Sequence, residues 1–369
     1  MRIERIETNI KSDTEVSIDL ATNTTIFHGP NGSGKTALIN AVELALTGEA
    51  RDLGTRSSAK SGVLLRSLIH DLNDSAYANV YLDNGCVFRW SLDRSSGAKQ
   101  SKPPEIKVHF PLRDAETALS SGKEKTLHYL YRLCSSYKKS TLTELDQTKR
   151  KMAHSRQRVK DVALTMNRIA STYGIATLPD PLEGHSRLCE FPPEVFSLLL
   201  RLEVDKEKAA SEHEVASLLY SRKIETLSEI IESNGADICF KINQYLPKGH
   251  RRQYESVSLV VTANNIRLGW ITPSGKSMPF VSGAETIYLT AALGLAHTKE
   301  IGWGDSDLVI IICPDRSLDS TTIRSLRESL EHLPGHSFLQ TASDTDDLMW
   351  ISDNNLVQLP LSPSGDLGA

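Results

Sequence analysis

Apolar and polar positions alternate at the start of the chain. Ile3 and Ile6 stand in a polar background, and Val16, Ile18 and Leu20 recur at every second position, so the first 35 residues read as strands. Within TTIFHGPNGSGKTALINAVELALTG a short strand and a glycine-rich loop lead into a helix. Its buried face is Leu38, Val42, Ala45 and Leu46, and Gly48 is placed as a C-cap. ANVYLDNGCVFRW predicts a hairpin around Asn84 and Gly85, the dipeptide that suits a type I′ turn.

From about residue 115 the period turns helical. Leu145, Met152, Val159, Met166 and Tyr173 repeat every seven residues, and Thr148, Ser155, Val162 and Ile169 form a second register that starts polar and becomes apolar. This predicts a coiled-coil-like seam. Four prolines and Gly184 in IATLPDPLEGHSRLCEFPPE then break the helix. A second long helix is expected from Val195 to Ser233, with Phe196, Leu199, Leu200, Val215, Leu218, Leu219, Ile224 and Leu227 apolar. The two make an antiparallel hairpin.

After Gly235 strands return. SVSLVVTANNIRLGWIT reads as a hairpin around Ala263–Asn265, and FVSGAETIYLTAALGLA as a loop entering a helix. DLVIII is a buried strand, STTIRSLRESLEHL an amphipathic helix, and HSFLQTASD the last core strand. An αβ segment is therefore split by a helical insertion and completed by a second αβ segment.

Composition narrows the picture. The chain has 369 residues, 39% of them hydrophobic, enough for two or three structural parts. A net charge of -4 leaves no global basic bias, so any nucleic-acid contact needs a local patch. Cys86, Cys134, Cys189, Cys239 and Cys313 are dispersed without metal-like spacing and read as free thiols in a reducing cytoplasm. The N-terminus shows no signal-peptide pattern, and no apolar run is long enough to span a membrane.

GPNGSGKT, Gly29 to Thr36, matches the phosphate-loop pattern G-x-x-x-x-G-K-[ST] in full, with the strand before it and the helix after it that such a loop needs. Glycines let consecutive N–H groups turn inward toward phosphate oxygens, and the helix N-terminus adds a favourable dipole. Gly29, Asn31, Gly32, Ser33, Gly34, Lys35, Thr36 and Ala37 are the candidate nucleotide-binding residues. Lys35 would reach the β- and γ-phosphates of ATP, and Thr36 would ligate Mg²⁺.

With this loop, FVSGAETIYLTAALGLA and CPDRSLDS, the chain resembles the head domain of SMC-like ATPases. That ABC-type group includes the chromosome-condensing SMC proteins, RecF, RecN and the ATPase of the double-strand-break repair complex. The resemblance implies an α/β fold, an ABC-type P-loop NTPase head with a mixed sheet and flanking helices, interrupted by an antiparallel helical hairpin. It divides the chain into an N-terminal ATPase lobe (1–130), the hairpin (131–236) and a C-terminal ATPase lobe (237–369). It implies a homodimer or heterodimer through the head. ATP on one head would be capped by the partner's signature, here Ser282, Gly283, Ala284 and Glu285, with Ala284 where relatives have a second glycine. Ser317, Leu318 and Asp319 would form the D-loop. VSGAE also reads simply as a capping box, Ser282 at the N-cap and Glu285 three residues on.

The family's run hhhh-D-E-P-x-x-x-L-D, anchored on Pro314 and on Leu318 and Asp319, puts Ile312 at the metal-supporting aspartate and Cys313 at the catalytic glutamate. Neither side chain does a carboxylate's work. Asp307 lies five residues back, about 16 Å at strand rise. Asp315 is the nearer substitute. Where the family carries a loop glutamine this chain has Arg113 and Asp114, and the switch-histidine position falls on Asp344, after Ser343. The pattern implies ATP binding with weak or absent hydrolysis.

Residues 138–160 hold eight basic side chains against two acids. Lys149, Arg150, Lys151, Arg156 and Arg158 are candidate DNA-backbone contacts, with Arg251 and Arg252 as a second cluster; a partner protein or plain solvation are the other readings. The expected role is a nucleotide-gated, DNA-associated or assembly subunit, cytoplasmic, with an effector such as a nuclease, in DNA repair or anti-phage defence. Two alternatives stay open: a competent ATPase using Asp315 or a partner's residues, and a scaffold that ATP merely stabilises.

Overall fold

The computed structural model of the chain describes residues 1–30, 32–50, 65–175, 178, 191–246, 256–262, 266–278, 283–302, 304, 307–313, 324, 327, 335–341 and 356–359. They fall into two compact units, Met1–Leu133 with Gly235–Ala369, and Cys134–Asn234.

The N-terminal segment of the first unit carries β1 (Ile3–Thr8), β2 (Val16–Asp19), β3 (Thr24–His28), α1 (Lys35–Thr47), β4 (Ser75–Leu82), β5 (Val87–Asp93), β6 (Gly97–Ser101), β7 (Val108–His109), α2 (Pro111–Ser120) and α3 (Lys123–Tyr131). The second unit is α4 (Lys139–Thr172) and α5 (Pro193–Ser233). The first unit resumes with α6 (Gly235–Asn243), β8 (Ser256–Val261), β9 (Ile266–Ile271), β10 (Ser277–Met278), α7 (Gly283–Ile301), β11 (Leu308–Ile312), β12 (His336–Thr341) and β13 (Leu356–Gln358).

A parallel sheet in the order β13-β3-β12-β11-β7 organises the first unit. All five residues of β3 and all five of β11 are buried. Such strands read as continuous apolar runs because both faces of the sheet are covered. Leu308, Ile310 and Ile312 pack with Phe27, Phe338 and the apolar face of α1, whereas Val309, Ile311 and Cys313 pack with Leu112 of α2 and with Ile287 and Leu295 of α7. Full burial of each aliphatic side chain contributes about 1.5–3 kcal/mol. Helices α2 and α7 touch closely: a Cβ on Gly294 would lie 2.2 Å from the Pro111 carbonyl oxygen, so only glycine fits.

An antiparallel sheet, β2-β1-β4-β5-β6, shares the α1 side of the core, and β10-β9-β8 is a smaller antiparallel sheet. The β4–β5 connection differs from the type I′ turn expected. Among the described non-glycine residues only Lys11 has a positive φ, so Asn84 is not left-handed. Gly85 alone is, at φ 81°, and its N–H donates to the Leu82 carbonyl at 2.9 Å. A four-residue connection closed by one left-handed glycine replaces the two-residue turn, and Asn84 Oδ1 instead accepts the Cys86 N–H at 3.0 Å. Five further elements escaped the sequence pattern: β6, the two-residue strands β7 and β10, the helix α6 where strands were expected, and β13 beyond the supposed last strand.

In the second unit α4 and α5 run antiparallel. Ser135 bonds Asn234, Glu144 pairs with Lys223 at 2.9 Å, His213 Nδ1 lies 3.1 Å from the Met152 carbonyl oxygen, and Arg158 pairs with Glu212 at 3.5 Å. The seam is apolar at its two ends, through Met166, Phe191 and Leu199 at one and Leu145, Leu227 and Ile231 at the other. Its middle is lined by Ser155, Ala209 and Ala216. Leu145, Met166 and, from the second register, Ser155 are buried as the heptads require, but Tyr173 is exposed. Val215, Leu218 and Leu219 of α5 face outward instead of into the hairpin.

Candidate functional site

The Gly29–Thr36 loop joins the end of β3 to the start of α1. Gly29, Gly32 and Gly34 have φ of 155°, 89° and 95°, which side chains rarely adopt, and a Cβ on Gly29 would press on Ser33 Oγ at 2.6 Å. The Ser33 N–H donates to the Pro30 carbonyl at 3.2 Å and closes the turn. Lys35 is buried, and its Nζ donates to the carbonyl oxygens of Gly29 at 2.6 Å and Pro30 at 2.9 Å. Among the described residues it has no carboxylate partner.

Three observations make this loop fit an anion. Among the described residues the Lys35 charge is held only by carbonyl dipoles. Ser33 Oγ is buried without a hydrogen-bond partner among the described residues. The first turn of α1 has no side-chain cap and no acidic residue, so its N–H groups and the positive end of the helix dipole stay uncompensated. Gly32 and Thr36 are exposed, Ser33, Gly34 and Ala37 half-buried, and Asn31 lies outside the described residues. A polar stripe missed in the sequence continues from Thr36 through Asn40 and Glu43 to Thr47, with Asn40 and Glu43 buried. Its spacing of three and four was the available signal.

The end of β11 is built differently. Ile312 is 4% and Cys313 1% exposed, each within an apolar cluster on its own face of the sheet. The Cys313 N–H donates to the Phe338 carbonyl at 3.0 Å. Asp307 stands at the other end of the strand. It accepts the Gly304 N–H at 2.9 Å and lies 3.1 Å from His109 Nε2. The Gly304 bond, then His109, hold its carboxyl below the usual range. Asp315, Ser317, Leu318, Asp319, Ser343 and Asp344 lie outside the described residues, as does most of the amphipathic helix expected before β12.

Of the signature, Gly283 and Ala284 open α7, Glu285 lies half-buried in its first turn, and Ser282 is outside the described residues. Arg113 and Asp114 lie on α2, where Arg113 pairs with Glu49 at 3.6 Å and covers the Phe110 ring.

Lys149, Arg150, Lys151 and Arg156 are exposed on α4, while Arg158 is drawn into pairs with Asp205 and Glu212. Arg156 and Lys160, with His213 and Ser217, line a cavity of about 530 Å³ on the hairpin. Arg251 and Arg252 lie outside the described residues. Among the described residues no helix is long and apolar enough to cross a membrane, and no cluster of His, Cys, Asp and Glu is set to hold a metal ion.

The AAA domain family matches residues 8–234, more than half of the chain. No curated protein matches it. Among solved structures, the Smc head domain with an extended coiled coil bound to the C-terminal domain of ScpA, from Pyrococcus furiosus, is 15% identical with a TM-score of 0.47, covering 97% of this chain and 93% of that one. The recombination mediator RecF with ATP is 12% identical with a TM-score of 0.46, covering 94% and 93%. The Smc head domain with a coiled coil and joint from Pyrococcus yayanosii is 13% identical with a TM-score of 0.41, covering 97% and 94%. With a phosphate loop between strand and helix and a family match over most of its N-terminal two thirds, the chain belongs to the AAA domain family.

Proposed function

We propose that the chain is an ATP-binding head that holds ATP with Mg²⁺ at the Gly29–Thr36 loop and hydrolyses it weakly or not at all. The observation that carries this reading is a buried Lys35 without a carboxylate partner among the described residues, and it is supported by buried Ile312 and Cys313 where the resemblance expects the metal-supporting and catalytic carboxylates. In this reading the loop N–H groups and Lys35 hold the phosphates, and the Thr36 hydroxyl ligates the metal. Bound ATP supplies the γ-phosphate that a second head would recognise through Ser282, Gly283, Ala284 and Glu285, beside the D-loop residues Ser317, Leu318 and Asp319. Without a general base, the head switches between assembled and separated states by binding and release rather than by turnover.

The same reading makes the protein a nucleotide-gated subunit of a DNA repair or anti-phage complex, working with an effector such as a nuclease. Lys149, Arg150, Lys151 and Arg156, exposed on one helix, are its candidate DNA-backbone contacts.

Equilibrium binding of a fluorescent ATP analogue, with Lys35→Ala as control, tests the core of the proposal. Binding weaker by about ten- to a hundredfold in the variant is expected, and equal binding by both proteins would remove the loop as the site. For the DNA role, affinity is measured across a salt series with Lys149, Arg150 and Lys151 reversed to glutamate. A shallower salt slope supports the contact, and an unchanged one rejects it.

A further inference from the structure

Helix α5 has an outward face that its own hairpin leaves uncovered. Val204, Val215, Leu218 and Leu219 are 63%, 54%, 58% and 48% exposed. At about 100° per residue they fall within about 100° of arc. Buried Leu199, Ala209, Ala216, Leu227 and Ile231 occupy the opposite side, against α4. The outward face follows a 3–4 spacing: Val204, Lys208, Ser211, Val215, Leu218, Arg222, Glu225 and Glu229. That is the spacing of a coiled-coil seam, apolar at Val204, Val215 and Leu218 and charged or polar between and beyond them, on a helix whose other face is already in use.

We propose that this face docks antiparallel on the same face of a second copy of the chain. The charge pattern selects the occupant and its direction. In an antiparallel pair centred between Val215 and Leu218, Val215 meets the partner's Leu218, and the two-fold axis repeats the contact. The same register sets Lys208 opposite the partner's Glu225, again twice, Ser211 opposite the partner's Arg222, and, at the two ends of the contact, Val204 opposite the partner's Glu229. On the flanks Glu214 meets the partner's Ser221 and Glu207 the partner's Ser228, so no like charges oppose each other. A parallel pair would stack Lys208, Arg222 and Glu225 each on its own copy. Sliding the antiparallel pair one heptad either way sets Glu214 against itself or Val215 against the partner's Glu225. Among these arrangements, this one keeps the central Val215–Leu218 contact and the Lys208–Glu225 pairs together, as an isologous interface requires. Lys208, Arg222 and Glu225 are all exposed and make no ion pair among the described residues, so they are free to pair across the interface.

This contact does not use the phosphate loop, so it stands or falls separately from the ATP reading. The test is the mass of the full chain by sedimentation across a range of concentrations, without nucleotide and in a Lys35→Ala background. A concentration-dependent dimer is expected. Leu218→Asp should abolish it, with helicity by circular dichroism showing that the fold is retained. Lys208→Glu and Glu225→Lys should each weaken the dimer at least tenfold, because each creates a like-charge pair, and the double variant should restore it. A monomer at every concentration would overturn the proposal. So would a dimer indifferent to Leu218→Asp, or single-variant losses that the double swap does not repair.

Discussion

Two strands of one parallel sheet, β3 and β11, separated only by β12, finish in opposite ways. Beyond β3 the backbone turns through left-handed glycines, buries an ammonium group and leaves the first N–H groups of α1 uncapped. At the end of β11 the chain presents Ile312 and Cys313, closed inside apolar clusters. The difference teaches that capacity to hold an anion and capacity to activate water are separable. The first rests on backbone geometry, a helix end and one lysine. The second needs ionised carboxylates, and the two positions where the resemblance expects them are built as core.

The strongest way to break this comparison is to put a charge where the core is. Cys313→Glu should lower stability by about 3–5 kcal/mol, because an uncompensated carboxylate would be buried among Leu112, Ile287 and Leu339. Urea unfolding measures it. A stable variant with raised phosphate release would show that the strand end is only an unoccupied catalytic position.

At the other strand end, Lys35→Ala removes the one charge the loop buries. A charge-assisted hydrogen bond contributes about 1.5–3 kcal/mol, so nucleotide affinity should fall about ten- to a hundredfold with little change in the melting temperature. Calorimetric titration separates the two effects.

Two buried histidines, one at the start of the central strand β12 and one on α7, extend the contrast to pH. His336 is fully buried at the start of β12, its Nε2 3.1 Å from Thr25 Oγ1, and burial, then Arg2, push its pKa down to about 3. His297 is pushed down to about 3 by burial, then Arg132. An unfolded histidine titrates near 6.5, so between that pH and about 3 the unfolded chain binds protons that the native chain refuses. Their contribution is present in full above about pH 6.5 and is lost as pH falls, by up to about 1.4 kcal/mol per pH unit for each group. His336→Gln should flatten the slope by one proton, read from urea midpoints between pH 7 and pH 5. An unchanged slope would mean that His336 takes up its proton in the native state.

Asp307 should give the smallest effect. Its carboxyl is held down by the Gly304 N–H and His109, so its contribution is present above the usual aspartate range and lost as pH falls through its lowered native value. Asp307→Asn should cost about 1 kcal/mol at neutral pH and leave nucleotide affinity unchanged. A loss of affinity would connect this edge of the sheet to the loop.

The phosphate loop was legible because its pattern is local: glycines, lysine and threonine at fixed spacing between a strand and a helix. The buried strand DLVIII and the helices around it were legible for the same reason, since period and length decide them. What sequence misses depends on neighbours. Asn84 and Gly85 suit a type I′ turn, yet the register of β4 on β5 asked for four connecting residues and only one left-handed position. Val215, Leu218 and Leu219 are apolar and helical, but periodicity alone does not say which of two faces a partner helix takes. Helix α6 hides between a long helix and a strand because only Ile238 and Ile242 are buried while Phe240 is exposed, which blurs the helical period over nine residues. The neutral state of His336 follows from contacts across more than three hundred residues of chain.

Phosphate release at steady state, measured beside ATP binding for the natural chain and for Lys35→Ala, tests the central claim most directly. The natural chain should bind ATP, the variant should bind it about ten- to a hundredfold more weakly, and both should release phosphate at the same background rate. Release by the natural chain well above the variant would contradict it, and would mean that a carboxylate outside Ile312 and Cys313 activates water.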